Sequence, residues 1–148
     1  MKKSIIASFL GTFLLAGTLF GQDIPQSSVP SVVLNKFQQT FPKATDVEWE
    51  MSAGKYKVDF ETGAGTDHEA YYDKTGKLTR HKEDISKGSL PAKVLEKLKS
   101  AYGSYRVEDV DKITEGTKVT YSMELKSSTE EWKITFDKLG NVLSKIAD

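Results

Sequence analysis

The sequence predicts an α+β fold of two tandem repeats, each one helix packed on a four-stranded antiparallel sheet. Three observations predict it. The helix-opening phrase V-P-S-V-V-L-N-K-F from Val29 returns as L-P-A-K-V-L-E-K-L from Leu90. The turn phrase Y-Y-D-K-T-G-K-L at Tyr71–Leu78 returns as T-F-D-K-L-G-N-V at Thr135–Val142. Between these landmarks, apolar and polar residues alternate with the period of two expected for half-buried strands. Pro30 and Pro91 stand 61 positions apart, and Gly76 and Gly140 stand 64 apart, so a whole unit is duplicated rather than a short motif.

The chain opens as a secretory leader. Lys2 and Lys3 precede an apolar run, Ile5–Phe20, and Gly21-Gln22 offers a small residue at a cleavage point, giving a signal peptide over residues 1–21. The run is short and nothing basic follows it, which argues against a membrane anchor. Thr18 stands where a lipoprotein box needs Cys. Residues 22–28 read as a polar linker, 29–85 as the first repeat, 86–89 as a joint and 90–148 as the second repeat.

In the first repeat, Pro30 pre-sets a first helical turn and Ser28 can supply a capping oxygen. Val33, Leu34, Phe37 and Phe41 fall on one helical face, and Phe41-Pro42 ends the helix. Val47, Trp49 and Met51 form the apolar side of a first strand, and Tyr56, Val58 and Phe60 that of a second. Placing Glu50 opposite Lys55, Trp49 opposite Tyr56 and Glu48 opposite Lys57 gives apolar pairs on one face and opposite charges on the other. A third strand spans His68–Asp73. The turn Asp73-Lys74-Thr75-Gly76 returns a fourth strand with Leu78 opposite Tyr72.

The second repeat has its helix stripe at Val94, Leu95, Leu98 and Tyr102. Its strands carry Val119–Leu125 and Trp132–Phe136, followed by the turn Asp137–Gly140 and a last strand from Val142. Its first strand, near Val107–Ile113, aligns poorly with Val47–Met51. A repeat of this size alone is marginal, so the halves are expected to form one body, with sheets either side by side or face to face.

Composition narrows function. The whole chain has 21 basic and 21 acidic residues, and losing Lys2 and Lys3 leaves the processed chain at −2. No global positive field draws it to nucleic acid. The absence of Cys excludes disulfides, thiolate catalysis and Cys-based zinc sites, and suits a bacterial envelope protein held by its core.

V-P-x-x-V-L-x-K-F with F-P, then D-V-E-W-E at Asp46–Glu50, Y-K-V-D-F at Tyr56–Phe60 and the Y-D-K-T-G-K-L turn resemble the PepSY-like group of bacterial envelope proteins. That group is similar to the β-lactamase-inhibitor protein, a tandem pair of helix-plus-four-strand units. The resemblance covers the processed chain and implies a periplasmic or secreted, non-enzymatic module. No motif here matches inhibitory loops, and none is carried over.

The residues themselves point to a surface rather than a catalytic centre. Glu48, Glu50, Lys57 and Asp59 alternate away from the apolar side of the first repeat, and Glu124 and Lys133 do so in the second. Tyr71 points the same way among charges and is the expected anchor of a partner contact. These seven residues are the expected binding face for an envelope protein or peptide. The alternative is a small-ligand or lipid carrier with a pocket between helix and sheet or between repeats. His68 and His81 are the only histidines, and nothing in their spacing requires them to meet. No nucleophile elbow, phosphate loop or calcium loop is present, so no catalytic residue, cofactor or metal is expected.

Overall fold

Pro30 and Pro91 stand where the sequence places them, one residue ahead of a helix. The computed structural model describes residues 21–148, and the leader expected over the first residues lies outside them except for Gly21. Helix α1 spans Ser31–Thr40 and α2 spans Ala92–Ala101. Ser28 does not cap α1. It belongs to a short 3₁₀ turn, Gln26–Ser28, and the first helical donors, the amides of Val33 and Leu34, donate to the Pro30 carbonyl instead at 2.9 and 3.1 Å. The segment read as a joint, from Ser86, forms the matching 3₁₀ turn, Lys87–Ser89.

Among the described residues, nine strands follow chain order across a single sheet. They are β1 (Gln22–Asp23), β2 (Thr45–Ser52), β3 (Lys55–Thr62), β4 (Thr66–Tyr72), β5 (Leu78–Asp84), β6 (Arg106–Glu115), β7 (Lys118–Lys126), β8 (Glu131–Asp137) and β9 (Val142–Ala147). Every neighbouring pair is antiparallel. Four strands follow each helix, but they do not form two sheets: β5 pairs with β6 and fuses them edge to edge. Asp23 pairs with Glu50 as Asp84 pairs with Asp111, so β1 stands ahead of the first repeat where β5 stands ahead of the second. The segment read as a linker thus carries a strand, and β5 serves both repeats at once.

Four register shifts interrupt the alternation, but the pairing of β5 with β6 keeps the apolar sides of the two repeats together, so α1 and α2 cover the same face. Each helix has its own core. Val33 and Phe37 pack on Trp49, Val58, Phe60, Ala70 and Tyr72; Val94 and Leu98 pack on Val110, Met123, Leu125, Ile134 and Phe136. The two halves are joined by backbone hydrogen bonds of the sheet rather than by a shared core.

Two registers differ from expectation. Glu50 faces Lys57, Trp49 faces Val58 and Glu48 faces Asp59, two residues from the pairing drawn from charge alone. The reason is the turn. Ala53 and Gly54 both take positive φ (49° and 75°) and close a two-residue loop, which brings Ser52 opposite Lys55. A two-residue slip preserves the faces, so the apolar pattern could not detect it. In the second repeat, β6 aligns poorly with β2 because both carry a bulge at a left-handed Asp in different places. Asp46 (φ 49°) lies four residues before Glu50, whereas Asp109 (φ 47°) lies two before Asp111.

Candidate functional site

The face of the sheet turned away from the helices carries all seven residues singled out from the sequence. Glu50, Lys57 and Tyr71 lie in one cross-strand row, and Glu48, Asp59 and Glu69 lie in the next. Glu124 and Lys133 face each other across β7 and β8 in the second repeat. The structure therefore gathers five of the seven and leaves the other two beyond the β5–β6 seam.

Lys57 is the hub of the first group. Its Nζ lies 2.6 Å from Glu50, 2.8 Å from Asp59 and 3.6 Å from Glu69. Burial pulls its proton affinity down, but hydrogen bonds to Asp59 and Glu50 and the charges of Asp59 and Glu69 more than reverse this, so it holds its proton well above the ordinary lysine range. Tyr71 is not a free-standing anchor. Arg80 lies over its ring at 5.5 Å and also binds Glu69 at 2.7 Å. Burial, followed by the Glu69 charge, raises the Tyr71 hydroxyl pKa. In the second group Glu124 pairs with Lys126 at 2.9 Å, and that hydrogen bond holds its carboxyl below the usual range. The carboxylates of Glu124, Glu131 and Asp148 come together in this region, but Lys126 already sits 2.9 Å from Glu124 and Glu131.

A concavity of about 390 Å³ opens beside the first group. Asp46, Glu48, Asp59, Glu61, Asp67, Glu69 and Asp84 line it, and Lys82 is its one cationic residue. Lys82 reaches Asp111 at 3.6 Å. Asp111 is buried opposite Asp84 on the neighbouring strand; burial, then the Asp84 carboxyl hydrogen-bonded beside it, push its pKa up to about 6 against the pull of Lys82. Sequence reasoning missed Asp46, Glu61, Asp67, Glu69, Lys82 and Asp84 as its lining, and Asp111 as the partner of Lys82. Glu69 was legible by alternation with Tyr71, whereas Asp111 lies in the strand whose bulge obscured its phase.

The histidines meet on the other face. His68 Nδ1 lies 3.0 Å from His81 Nε2, and His68 Nε2 lies 2.7 Å from the Thr62 hydroxyl. The ring planes differ by only 10° and the centroids are 5.2 Å apart, so the rings lie end to end, joined by one proton. A metal ion bound to both at about 2.0–2.1 Å would not fit on that line. A register shift between Tyr71 and Tyr72 causes the meeting: it moves His81 opposite Ala70, onto the side His68 occupies. His68 is 8 % exposed, so the pair is largely closed off from solvent on its side.

Burial first, and the His68 ring second, lower the His81 pKa; Glu83 opposes this and Lys112 adds to it. A depressed folded value means the unfolded chain takes up the proton first. The contribution is complete above the unfolded pKa of about 6.5 and is lost as pH falls through the folded value. Asp111 acts oppositely, since its raised folded pKa favours folding as pH falls from about 6 toward the unfolded value. In denaturant titrations from pH 7.5 to 5, His81→Gln should therefore gain stability relative to the parent protein on acidification. Parallel pH profiles would mean that His81 titrates as freely folded as unfolded.

No protein with a curated description matches the chain in sequence. Solved structures do match its fold. A candidate periplasmic protein of Bacteroides eggerthii DSM 20697 aligns with TM-score 0.72 and 18% identity over 80% of this chain and 88% of its own. A DUF2874 family protein of Bacteroides uniformis ATCC 8492 gives 0.71 and 18% over the same shares. A BLIP-like protein of Bacteroides fragilis NCTC 9343 gives 0.68 and 18%, covering 80% of this chain and 85% of its own. The PepSY-like family model, described as beta-lactamase-inhibitor-like, matches residues 20–80 and again 77–144, overlapping across the start of β5, and with both repeats matched the chain belongs to that family.

Proposed function

We propose that this chain is a non-enzymatic binding module of the bacterial envelope that receives a cationic segment of a partner protein on the open face of its first repeat. The observation that carries the reading is the concavity beside β2–β5, with seven carboxylates and a single lysine around about 390 Å³. Lys57 and Arg80 offset and hold two of these carboxylates, Asp59 and Glu69, while among the described residues Asp46, Glu48, Glu61, Asp67 and Asp84 make no ion pair and keep the concavity net negative. A Lys or Arg side chain entering the concavity would gain charge-assisted hydrogen bonds and steering from a field of one sign. Glu124 and Lys133, beyond the seam, would meet a longer partner. The likeness to a BLIP-like protein and to a candidate periplasmic protein supports an envelope module that acts by contact.

The test is fluorescence anisotropy with a labelled oligolysine peptide and an oligoglutamate control at low and high salt. Only the cationic peptide should bind, more weakly as salt rises. Joint replacement Glu48→Gln, Asp59→Asn and Asp67→Asn should weaken binding by about tenfold or more, whereas Glu96→Gln, on α2 at the opposite face, should leave it near the parent value. Equal binding by parent and triple variant would reject the site.

A carrier reading draws on one pair of features. Equivalent grooves of about 400 and 320 Å³ lie at the ends of α1 and α2, around Leu34, Phe41 and Ala44 in one repeat and Leu95, Tyr102 and Tyr105 in the other. Native mass spectrometry of the purified protein would reveal an apolar cargo. The helix–sheet interfaces themselves are filled, with Val33, Val58, Val94, Leu125, Ile134 and Phe136 all at 0% exposure.

A further inference from the structure

The two edges of the sheet are built differently. At one edge, β1 is two residues long; at the other, β9 offers a six-residue strand, Val142–Ala147. Exposed strand edges are templates for pairing, and proteins usually guard them with short strands or outward charges. Among the described residues, five large apolar side chains are exposed, and four of them, Leu139, Val142, Leu143 and Ile146, lie on β9 or the turn before it. The charge available for guarding, Lys145, is folded back over its own core, 4.2 Å from the Trp132 ring and 5.6 Å from that of Tyr102.

The turn offset of 64 matches Thr79, Lys82 and Glu83 of β5 with Leu143, Ile146 and Ala147 of β9. In the first repeat this strand pairs with β6, and these three positions are polar. In the second repeat it is an edge, yet the same three positions are apolar. An unpaired edge would call for the opposite.

We propose that β9 pairs antiparallel with β9 of a second copy of this chain, about a two-fold axis normal to the sheet. The backbone selects the register. Asp148 donates its amide to Glu131 of β8, so by alternation Ser144 and Ile146 also turn their backbone groups inward, and Lys145 and Ala147 turn theirs out. The outward groups can then pair Lys145 with the partner subunit's Ala147, twice by symmetry. Ile146 falls opposite the partner subunit's Ile146, and Ser144 opposite the partner subunit's Asp148. This arrangement sets no like charges against each other. A two-fold register centred one residue earlier would place Lys145 opposite the partner subunit's Lys145, which like-charge repulsion disfavours. The contact is isologous and closes at two copies.

Sedimentation velocity of the purified protein over a range of concentrations tests the pairing. The protein should reach a dimer, and Ile146→Lys should hold it monomeric with an unchanged far-ultraviolet circular dichroism spectrum. Leu143→Lys serves as a second exposed-site variant should Ile146→Lys disturb folding. Because the chain has no Cys, one introduced thiol reports the register. Ile146→Cys should give a covalent dimer under mild oxidation, whereas Ser144→Cys should remain largely uncrosslinked. A monomer at the highest soluble concentration, a dimer insensitive to both lysine variants, or equal cross-linking of the two cysteine variants would overturn the proposal.

Discussion

Phe37→Ala should destabilise the protein by about 3–5 kcal/mol, the range for truncating a buried aromatic side chain. Phe37 is 4% exposed, and its ring lies 5.0 Å from Phe60, 5.3 Å from Trp49, 5.8 Å from Phe41 and 6.5 Å from Tyr72. Three of these contacts are edge-on, the geometry that aromatic quadrupoles favour. Phe37 is the one aromatic side chain of α1, and the loss is a large share of the roughly 5–15 kcal/mol that holds a domain together. The second repeat has Leu98 at the same position, so Phe37→Leu should cost less than about 1.5 kcal/mol. Urea denaturation followed by tryptophan fluorescence reads both changes. Trp49 belongs to the first core and Trp132 packs against the second, so single-tryptophan versions should show the Phe37→Ala loss first at Trp49. Coincident shifts at both tryptophans would show that the sheet couples the cores into one unit.

Gly140→Ala should cost about 2–4 kcal/mol. Two terms add. Gly140 has φ +80°, where a Cβ costs about 1–2 kcal/mol. A Cβ there would also lie 2.6 Å from the Lys93 carbonyl oxygen, so turn and helix must move apart. Gly76 makes the corresponding approach to Val32 at 3.0 Å, so in each repeat the last turn of the sheet clasps the first turn of the helix. Gly116 supplies the control: its φ is also positive, at +60°, but nothing lies within 4 Å of its added Cβ. The excess loss in Gly140→Ala over Gly116→Ala, measured by urea midpoints, isolates the clasp. No excess would mean that only the turn conformation matters.

Much of this architecture was legible because it rests on local signals. Pro30 and Pro91 mark the helix starts, and alternation through Tyr56, Val58 and Phe60 sets which face is buried. The Asp73 and Asp137 turns were equally plain. Each aspartate accepts amide hydrogens two and four residues ahead, from Thr75 and Lys77 in one case and Leu139 and Asn141 in the other. What escaped were features that leave the alternation intact or break it once. The Ala53-Gly54 loop moves β2 against β3 by two residues without exposing an apolar side chain. The irregularity at Tyr71–Tyr72 moves His81 to the opposite face and creates the histidine pair. The two-residue β1 is too short for any periodic signal. For the candidate site, the face was legible but its shape was not. Glu48 and Asp59 were found by alternation, whereas their convergence with Asp67 and Asp84 depends on the coiling of four strands.

Because every strand pairs only with its neighbours in sequence, the molecule is a ribbon folded back and forth, with its two described ends at opposite margins. Tension applied between those ends would meet the rows of hydrogen bonds one after another rather than all at once. The ribbon would open like a zip from its margins, one strand at a time, and β5 would be the last tether between repeats whose cores share no buried residue. A mechanically compliant strip of this kind can give way strand by strand under load without losing both cores together.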